Sequence, residues 1–274
     1  MPEGPEIRRA ADEIQHVLAG RKTTRVFFSF EHLKKFEKKL RGQVVCSIQT
    51  RGKAILTGFD NGLVIYSHNQ LYGKWVVSAA GKEIESNRQL RLSIHNKDFS
   101  ALLYSASEIE VLNAKNLSKQ PFLSRLGPDL LSENPSKNDI LERLESPRFC
   151  RRQLAGLLLD QGFVAGLGNY LRAEILAHAN IHPQKRAIDC SQTQLKKLSE
   201  EIIGLTRRSY RLNGVVNPPS LVKKLKAQGL RSPAQYRFSV YGREGEPCYY
   251  CGQKIKRMDV GGRHIYFCPG CQVR

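Results

Sequence analysis

Residues 43–68 read QVVCSIQTRGKAILTGFDNGLVIYSH, and this stretch decides the fold of the first half of the chain. Three short runs rich in apolar and β-branched side chains, 43–50, 54–59 and 63–68, are separated by two turn signals. Asp60-Asn61-Gly62 is a good hairpin turn. Arg51-Gly52-Lys53-Ala54 marks the other, with a glycine that lets backbone bend or approach a ligand closely. Working outward, strand-like runs recur at 24–30, 75–79, 89–95 and 100–104, so residues 1–125 are expected to form an antiparallel β-sandwich of seven short strands. Before the strands, Ile7, Ala10, Ala11, Ile14, Val17 and Leu18 follow helical spacing until Gly20, which places a helix against that sandwich.

Composition bounds the function classes. The 274 residues hold 44 Lys and Arg against 25 Asp and Glu, a formal charge of +19, which points to nucleic acid as partner rather than to any fold. No apolar run approaches the ~20 residues of a membrane span, and the acidic start is no signal peptide, so an intracellular, cytoplasmic protein without membrane association is expected. Monomer is the default expectation.

Beyond residue 113 the periodicity lapses, and Pro121, Gly127-Pro128 and Pro135 mark a linker at 126–133. Residues 134–247 read as a helical domain. Apolar spacing predicts helices around 140–144, 151–161 and 171–179, and Ser191 with Gln194 forms a capping box for another. Gly162, Gly166 and Gly168 imply a tight turn between two of these helices, with Asn169 at a helix start, as an N-cap or as a phosphate contact. Residues 207–243 hold nine Lys or Arg and no acid, and Pro218-Pro219 and Gly229 predict an irregular cationic segment suited to a phosphate backbone.

The C-terminal 248–271 carries the strongest single motif. Cys248-x-x-Cys251 and Cys268-x-x-Cys271, sixteen residues apart, match a closed, tetrahedral, structural Zn²⁺ site, a zinc ribbon of the zinc-finger type. Between the pairs, Val260-Gly261-Gly262-Arg263-His264 reads as the turn of a two-stranded ribbon with Arg263 near its tip. Cys46, Cys150 and Cys190 are scattered free thiols, the pattern of a reducing compartment.

Three stretches remain that the fold does not explain. Met1-Pro2-Glu3-Gly4-Pro5-Glu6 exposes a proline once Met1 is trimmed. An α-amino group titrates at about 7.7–8.0, so part of it is an uncharged nucleophile that can form an iminium with a carbonyl carbon. Glu3 beside it could move protons; the plainer reading is a helix start with an acid in its first turn. Lys53 is a surface lysine, a phosphate contact or a catalytic amine. Ser67-His68-Asn69-Gln70-Leu71-Tyr72-Gly73 is either a plain turn or a wedge that enters a base stack when a nucleotide is flipped out.

Taken in order, Pro2-Glu3-Gly4-Pro5-Glu6, Arg51-Gly52-Lys53, Gln70-Leu71-Tyr72-Gly73, Leu167-Gly168-Asn169-Tyr170-Leu171 and the four-cysteine ribbon resemble the formamidopyrimidine-DNA glycosylase and endonuclease VIII family. The resemblance runs from residue 1 to residue 271. Gly4, 67–73 and 102–107 look like the endonuclease VIII branch, which acts mainly on oxidised pyrimidines such as thymine glycol.

The resemblance implies an α+β fold of two domains, the second a helix–two-turn–helix DNA-binding domain with the zinc ribbon. It implies base-excision repair: a glycosylase with AP lyase activity on double-stranded DNA containing oxidised bases or abasic sites, in a bacterial-type, nucleoid-associated setting. Pro2 would attack C1′ and form the Schiff base, Glu3 would donate the proton, Lys53 would assist β-elimination and Arg263 δ-elimination. Gln70, Leu71 and Tyr72 would fill the void left by the base. Arg125 and Asn169 would contact phosphates, Glu6 and Glu174 would be supporting carboxylates, and the one zinc would only hold Arg263 in place. The basic segment between Tyr210 and Tyr241 is longer than the endonuclease VIII branch leads one to expect, which leaves an oxidised-purine preference as an alternative. A non-catalytic zinc-ribbon DNA-binding protein is the other; it leaves the N-terminal motif unexplained.

Overall fold

The computed structural model of the protein describes residues 2–273. Met1 and its removal lie outside the described residues. The chain is α+β and divides into two compact units, one ending at Leu126 and one starting at Gly127.

The first unit opens with helix α1 (Gly4–Leu18), whose Ile7, Ala11, Ile14, Val17 and Leu18 are buried. Eight strands follow: β1 (Arg25–Phe28), β2 (Val45–Arg51), β3 (Ala54–Phe59), β4 (Leu63–His68), β5 (Lys74–Ala79), β6 (Leu90–His95), β7 (Phe99–Tyr104) and β8 (Glu108–Asn113), with a short helix α2 (Glu37–Leu40) after β1. They form two antiparallel four-stranded sheets in the orders β1-β6-β7-β5 and β2-β3-β4-β8. The buried face of α1 joins one apolar core with Phe28, Val45, Ile55, Ile65, Trp75, Leu92, Ile94 and Leu103 from both sheets. Burying such a face, at roughly 25 cal/mol per Å² of apolar surface, fixes the helix and therefore its N-terminal end.

The expected strands are present within one to two residues of their ends. The eighth, β8, is an addition. Its Glu-Ile-Glu-Val-Leu-Asn alternates, but it follows β7 after only a short turn, and its partner β4 lies some forty residues earlier in the chain. Register in this sheet sets the site: Ala54 lies opposite His68, and His68 lies opposite Glu108.

The second unit contains α3 (Lys137–Glu145), α4 (Leu154–Leu157), α5 (Asn169–His178), α6 (Gln192–Arg211), α7 (Pro219–Ala227) and α8 (Pro233–Tyr236), then the hairpin of β9 (Lys256–Val260) and β10 (Arg263–Phe267). Ser191 caps α6 as the sequence leads one to expect, its hydroxyl accepting from the Gln194 amide at 3.3 Å. Three expectations are corrected. Leucine spacing over 151–161 yields only the single turn α4, because the chain must bend at Asp160, whose carboxylate accepts from the Gly162 amide. Pro218-Pro219 does not break structure but starts α7, since proline at the first helical turn sacrifices no hydrogen bond. From Gly127 on, the expected linker 126–133 packs into this unit: Leu130 is buried in its core, the Gly127 amide donates to Gln161 O, and Ala165 donates to Pro128 O. A Cβ on Gly127 would lie 2.6 Å from both Gly162 O and Phe163 O, so only glycine allows that approach.

Candidate active site and nucleic-acid interface

In the first unit the head of α1 carries Pro2, Glu3 and Glu6. Glu3 is 2% exposed, and it occupies the N-cap position. Its amide donates to Glu6 Oε2 at 3.0 Å, while Glu6 Oε1 takes Arg9 at 3.0 Å. The peptide joining Pro2 to Glu3 is thereby tied to the first turn of the helix, and the Pro2 nitrogen is carried on a fixed base. A carboxylate at that position also suits the positive end of the helix dipole.

A second group gathers where β4 ends and β3 and β8 begin. Gly52 and Lys53 form the two-residue turn between β2 and β3; Gly52 takes the positive φ of +60° that a first central position demands, and Lys53 is buried. Its charge reaches His68. Burial lowers the His68 pKa, Glu108 raises it again and Lys53 lowers it. His68 Nδ1 accepts from the Gln70 amide at 3.0 Å, so the ring carries its proton on Nε2. The Gln70 side chain donates to Glu108 Oε2 at 2.9 Å and accepts from the Ser107 hydroxyl. Glu108 Oε1 takes the hydroxyl of fully buried Tyr66 at 2.7 Å. The loop closes through Gly73 N to Asn69 O at 2.7 Å. Beyond this tied root, Leu71 is 48% and Tyr72 68% exposed, two large apolar side chains held out to solvent. Arg125 is exposed on a single helical turn after Phe122, whose ring meets His68 edge-on at 4.9 Å, and its Nε donates to Pro121 O at 2.7 Å.

In the second unit Gly168, not Asn169, caps α5, and Asn169 is the first helical residue. Asn169 Nδ2 donates to His264 O at 3.2 Å, and its Oδ1 accepts from Arg172 at 2.7 Å. Arg172 is fully buried and also donates to His264 O at 2.9 Å and to Ala155 O at 3.0 Å. Helix start and ribbon turn are thus clamped together, and Arg263, directly after the Gly261-Gly262 turn, is exposed. Sequence reading missed Arg172. The available signal was a charged residue inside a helix that is otherwise buried on all sides from Tyr170 to Leu176.

Glu174 is fully buried on the same helix. It accepts from the amides of Ser239, Val240 and Tyr241 at 2.8, 2.9 and 2.8 Å. Burial raises its pKa, while these three amides and Arg243 pull it down. It straps the segment before the ribbon onto α5.

The Sγ atoms of Cys248, Cys251, Cys268 and Cys271 all lie within 4.8 Å of one another and could hold a metal ion. Sulfurs about 2.3 Å from a common centre stand about 3.8 Å apart in a tetrahedron. Cys248 and Cys271 are 3.8 Å apart, and Cys251 and Cys268 3.3 Å, so the four fit such an ion. Gln272 fastens the ribbon to the helices, accepting from Cys268 N at 2.9 Å and donating to Ile181 O at 2.8 Å.

Comparison with known proteins shows the family. The formamidopyrimidine-DNA glycosylase N-terminal domain matches residues 1–106, and the H2TH domain of the same enzymes matches residues 126–216. Endonuclease 8 of Escherichia coli is 47% identical over 272 residues, covering 99% of this chain and 100% of that protein. Endonuclease 8 of Pectobacterium atrosepticum is also 47% identical with the same coverage. The chain belongs to the formamidopyrimidine-DNA glycosylase and endonuclease VIII family. It is an enzyme of that DNA glycosylase and AP lyase class. The fold of the family is equally plain in solved structures. A MutM structure in complex with DNA containing carbocyclic 8-oxo-G superposes with a TM-score of 0.81 at 24% identity, covering 100% of both chains. Lactococcus lactis formamidopyrimidine-DNA glycosylase, non-covalently bound to DNA containing an AP site, gives 0.80 at 23% identity over 99% of this chain and 100% of that one. Among the described residues of this family member no helix is long and apolar enough to cross a membrane.

Proposed function

We propose that this enzyme removes oxidised pyrimidines of the thymine glycol type from double-stranded DNA and then cuts the strand by β,δ-elimination through a Schiff base on Pro2. The observation that carries the reading is the head of α1. Pro2, whose nitrogen becomes a secondary amine once Met1 is removed, stands next to an acid that is 2% exposed, on a helix whose other face is locked into the core.

The lesion must leave the stack before its sugar can be reached. Leu71 and Tyr72 are the apolar wedges that take its place, rooted by Gln70. The Pro2 nitrogen attacks C1′ and the bond from C1′ to the base breaks, the departing base taking the electron pair and a proton from Glu3. The C1′–O4′ bond of the sugar ring then breaks, O4′ taking the electron pair and the proton that the Pro2 nitrogen gives up, and an iminium is left on Pro2. Loss of the now acidic C2′ proton breaks the C3′–O bond, with Lys53 serving the proton transfer and the phosphate. A second elimination breaks the C5′–O bond, supported by Arg263 on the flanking phosphates. Water then hydrolyses the iminium and frees Pro2. Arg125 and Asn169 bind backbone phosphate, and Glu6 holds the start of α1. Glu174 is a supporting carboxylate that holds residues 239–241 on α5 within the second unit. One structural Zn²⁺ in the four-cysteine site keeps the ribbon, and so Arg263, in place. Residues 1–125 form the catalytic domain, and the rest supplies the DNA-binding domain. The enzyme acts within the cell on the nucleoid, as a monomer.

The relatives named Endonuclease 8 support the pyrimidine branch. Borohydride trapping on otherwise identical oligonucleotides carrying thymine glycol, 8-oxoguanine, an abasic site or no lesion tests the whole reading. A crosslink at Pro2, strongest with thymine glycol, is expected. Strongest trapping with 8-oxoguanine would keep the mechanism and move the enzyme to the purine branch. No crosslink, with Met1 removed and zinc bound, would leave a binding protein.

A further inference from the structure

The Gln70 side chain is held at both ends of its amide, and Glu108, which only accepts, admits one orientation. Glu108 offers two acceptor oxygens: one takes Tyr66 Oη at 2.7 Å, the other Gln70 Nε2 at 2.9 Å. Tyr66 is 0% exposed, and its pKa is raised by burial first and by Glu108 second, so it remains a hydroxyl donor. Ser107 places its hydroxyl on Gln70 Oε1. Two donors converge on one side chain, and only a carboxylate accepts from both. The backbone agrees: Gln70 takes a φ of +50° and its amide is spent on His68. What remains is one hydrogen on Nε2 and one lone pair on Oε1, a donor and an acceptor in fixed order.

We propose that Glu108 is a specificity-determining positioning residue: by fixing which end of the Gln70 amide is donor and which is acceptor, it sets which base opposite the lesion the enzyme favours. The inference rests on the proposed function, in which the 70–72 loop enters the stack. Without Glu108 the amide can turn over, and a flipped amide presents its donor where the acceptor stood. Hydrogen-bond readout of a base edge depends on that order. Glu108→Gln provides one acceptor for two donors and one NH₂ that fits neither, so both amide orientations become open. Glu108→Asp keeps two acceptor oxygens.

The test measures single-turnover cleavage of duplexes with thymine glycol opposite each of the four bases, together with trapping on a single-stranded abasic oligonucleotide, which has no opposite base. The wild type is expected to spread over about tenfold or more between its best and worst opposite base, the worth of one good base contact. Glu108→Gln should compress that spread toward unity and leave single-strand trapping unchanged. Glu108→Asp should restore much of the spread. Ser107→Ala removes an exposed hydroxyl without disturbing buried Tyr66, and should compress the spread in part even if Glu108→Gln folds poorly. An unchanged spread in Glu108→Gln and Ser107→Ala overturns the inference, as does a wild type indifferent to the opposite base. Equal losses on duplex and single strand also overturn it, by reducing Glu108 to a structural residue. A wild type that traps on neither substrate removes the glycosylase reading itself and this inference with it.

Discussion

Replacing Gly73 with alanine should damage the wedge loop through geometry alone. A Cβ built at Gly73 lies 2.5 Å from Asn69 O, 2.6 Å from Asn69 Cα and 2.9 Å from its carbonyl carbon. All three are backbone atoms, so no side-chain rotation relieves the overlap. Ordinary contact begins at 3.4 Å, and the loop must therefore open by about 0.9 Å. Opening breaks the 2.7 Å bond from Gly73 N to Asn69 O that closes it. A lost backbone hydrogen bond and an overpacked buried turn together cost about 2–4 kcal/mol. Trp75, the sole tryptophan, is 8% exposed two residues farther on and reports the strain directly. Urea unfolding followed by tryptophan emission and by far-ultraviolet circular dichroism gives the energy. Single-turnover cleavage of a thymine glycol duplex should fall by about tenfold to a hundredfold, since misplacing a positioning group by about 1 Å has that effect. Trapping on a single-stranded abasic oligonucleotide should not change. A loss of stability below about 1 kcal/mol with full duplex cleavage would refute the steric argument, because overpacking cannot be that cheap without slack the loop does not have.

Three other perturbations follow from the same geometry. Glu174→Ala strands three buried amides, each costing about 1–3 kcal/mol, so urea unfolding should show a loss of at least about 3 kcal/mol. His178 is buried, with Arg208 and Lys197 lowering it further, from 6.5 to about 4. A base held neutral in the folded protein contributes stability that is present above its unfolded pKa and lost as pH falls, here by about 3 kcal/mol between pH 6.5 and 4; His178→Gln should flatten that limb of a pH–stability curve. Cys251→Ser should abolish metal binding, read by elemental analysis, and abolish strand cleavage by releasing the turn that carries Arg263; zinc retained at one per chain would count against the four-sulfur site.

Residues 43–68 determined their own hairpins, because apolar and β-branched runs bounded by an Asn-Gly turn are properties of the local chain. The same holds for α1, for the Ser191 capping box and for the two C-x-x-C pairs, and through them for the resemblance that named the family. Local reading misjudged Pro219, which starts a helix rather than ending one, and Leu154–Leu157, cut short by a turn built on Asp160. Packing decided what pairs over distance. Gln70 meets Glu108 across 38 residues, Glu174 meets Ser239 across 65, and Arg172 reaches His264 across 92. None of these partners announces itself in sequence, because a side chain's charge says what it needs and not where the fold will supply it. Strand register put Glu108 beside His68, and burial of α5 left Arg172 and Glu174 no solvent to turn to, so each had to find its hydrogen bonds inside.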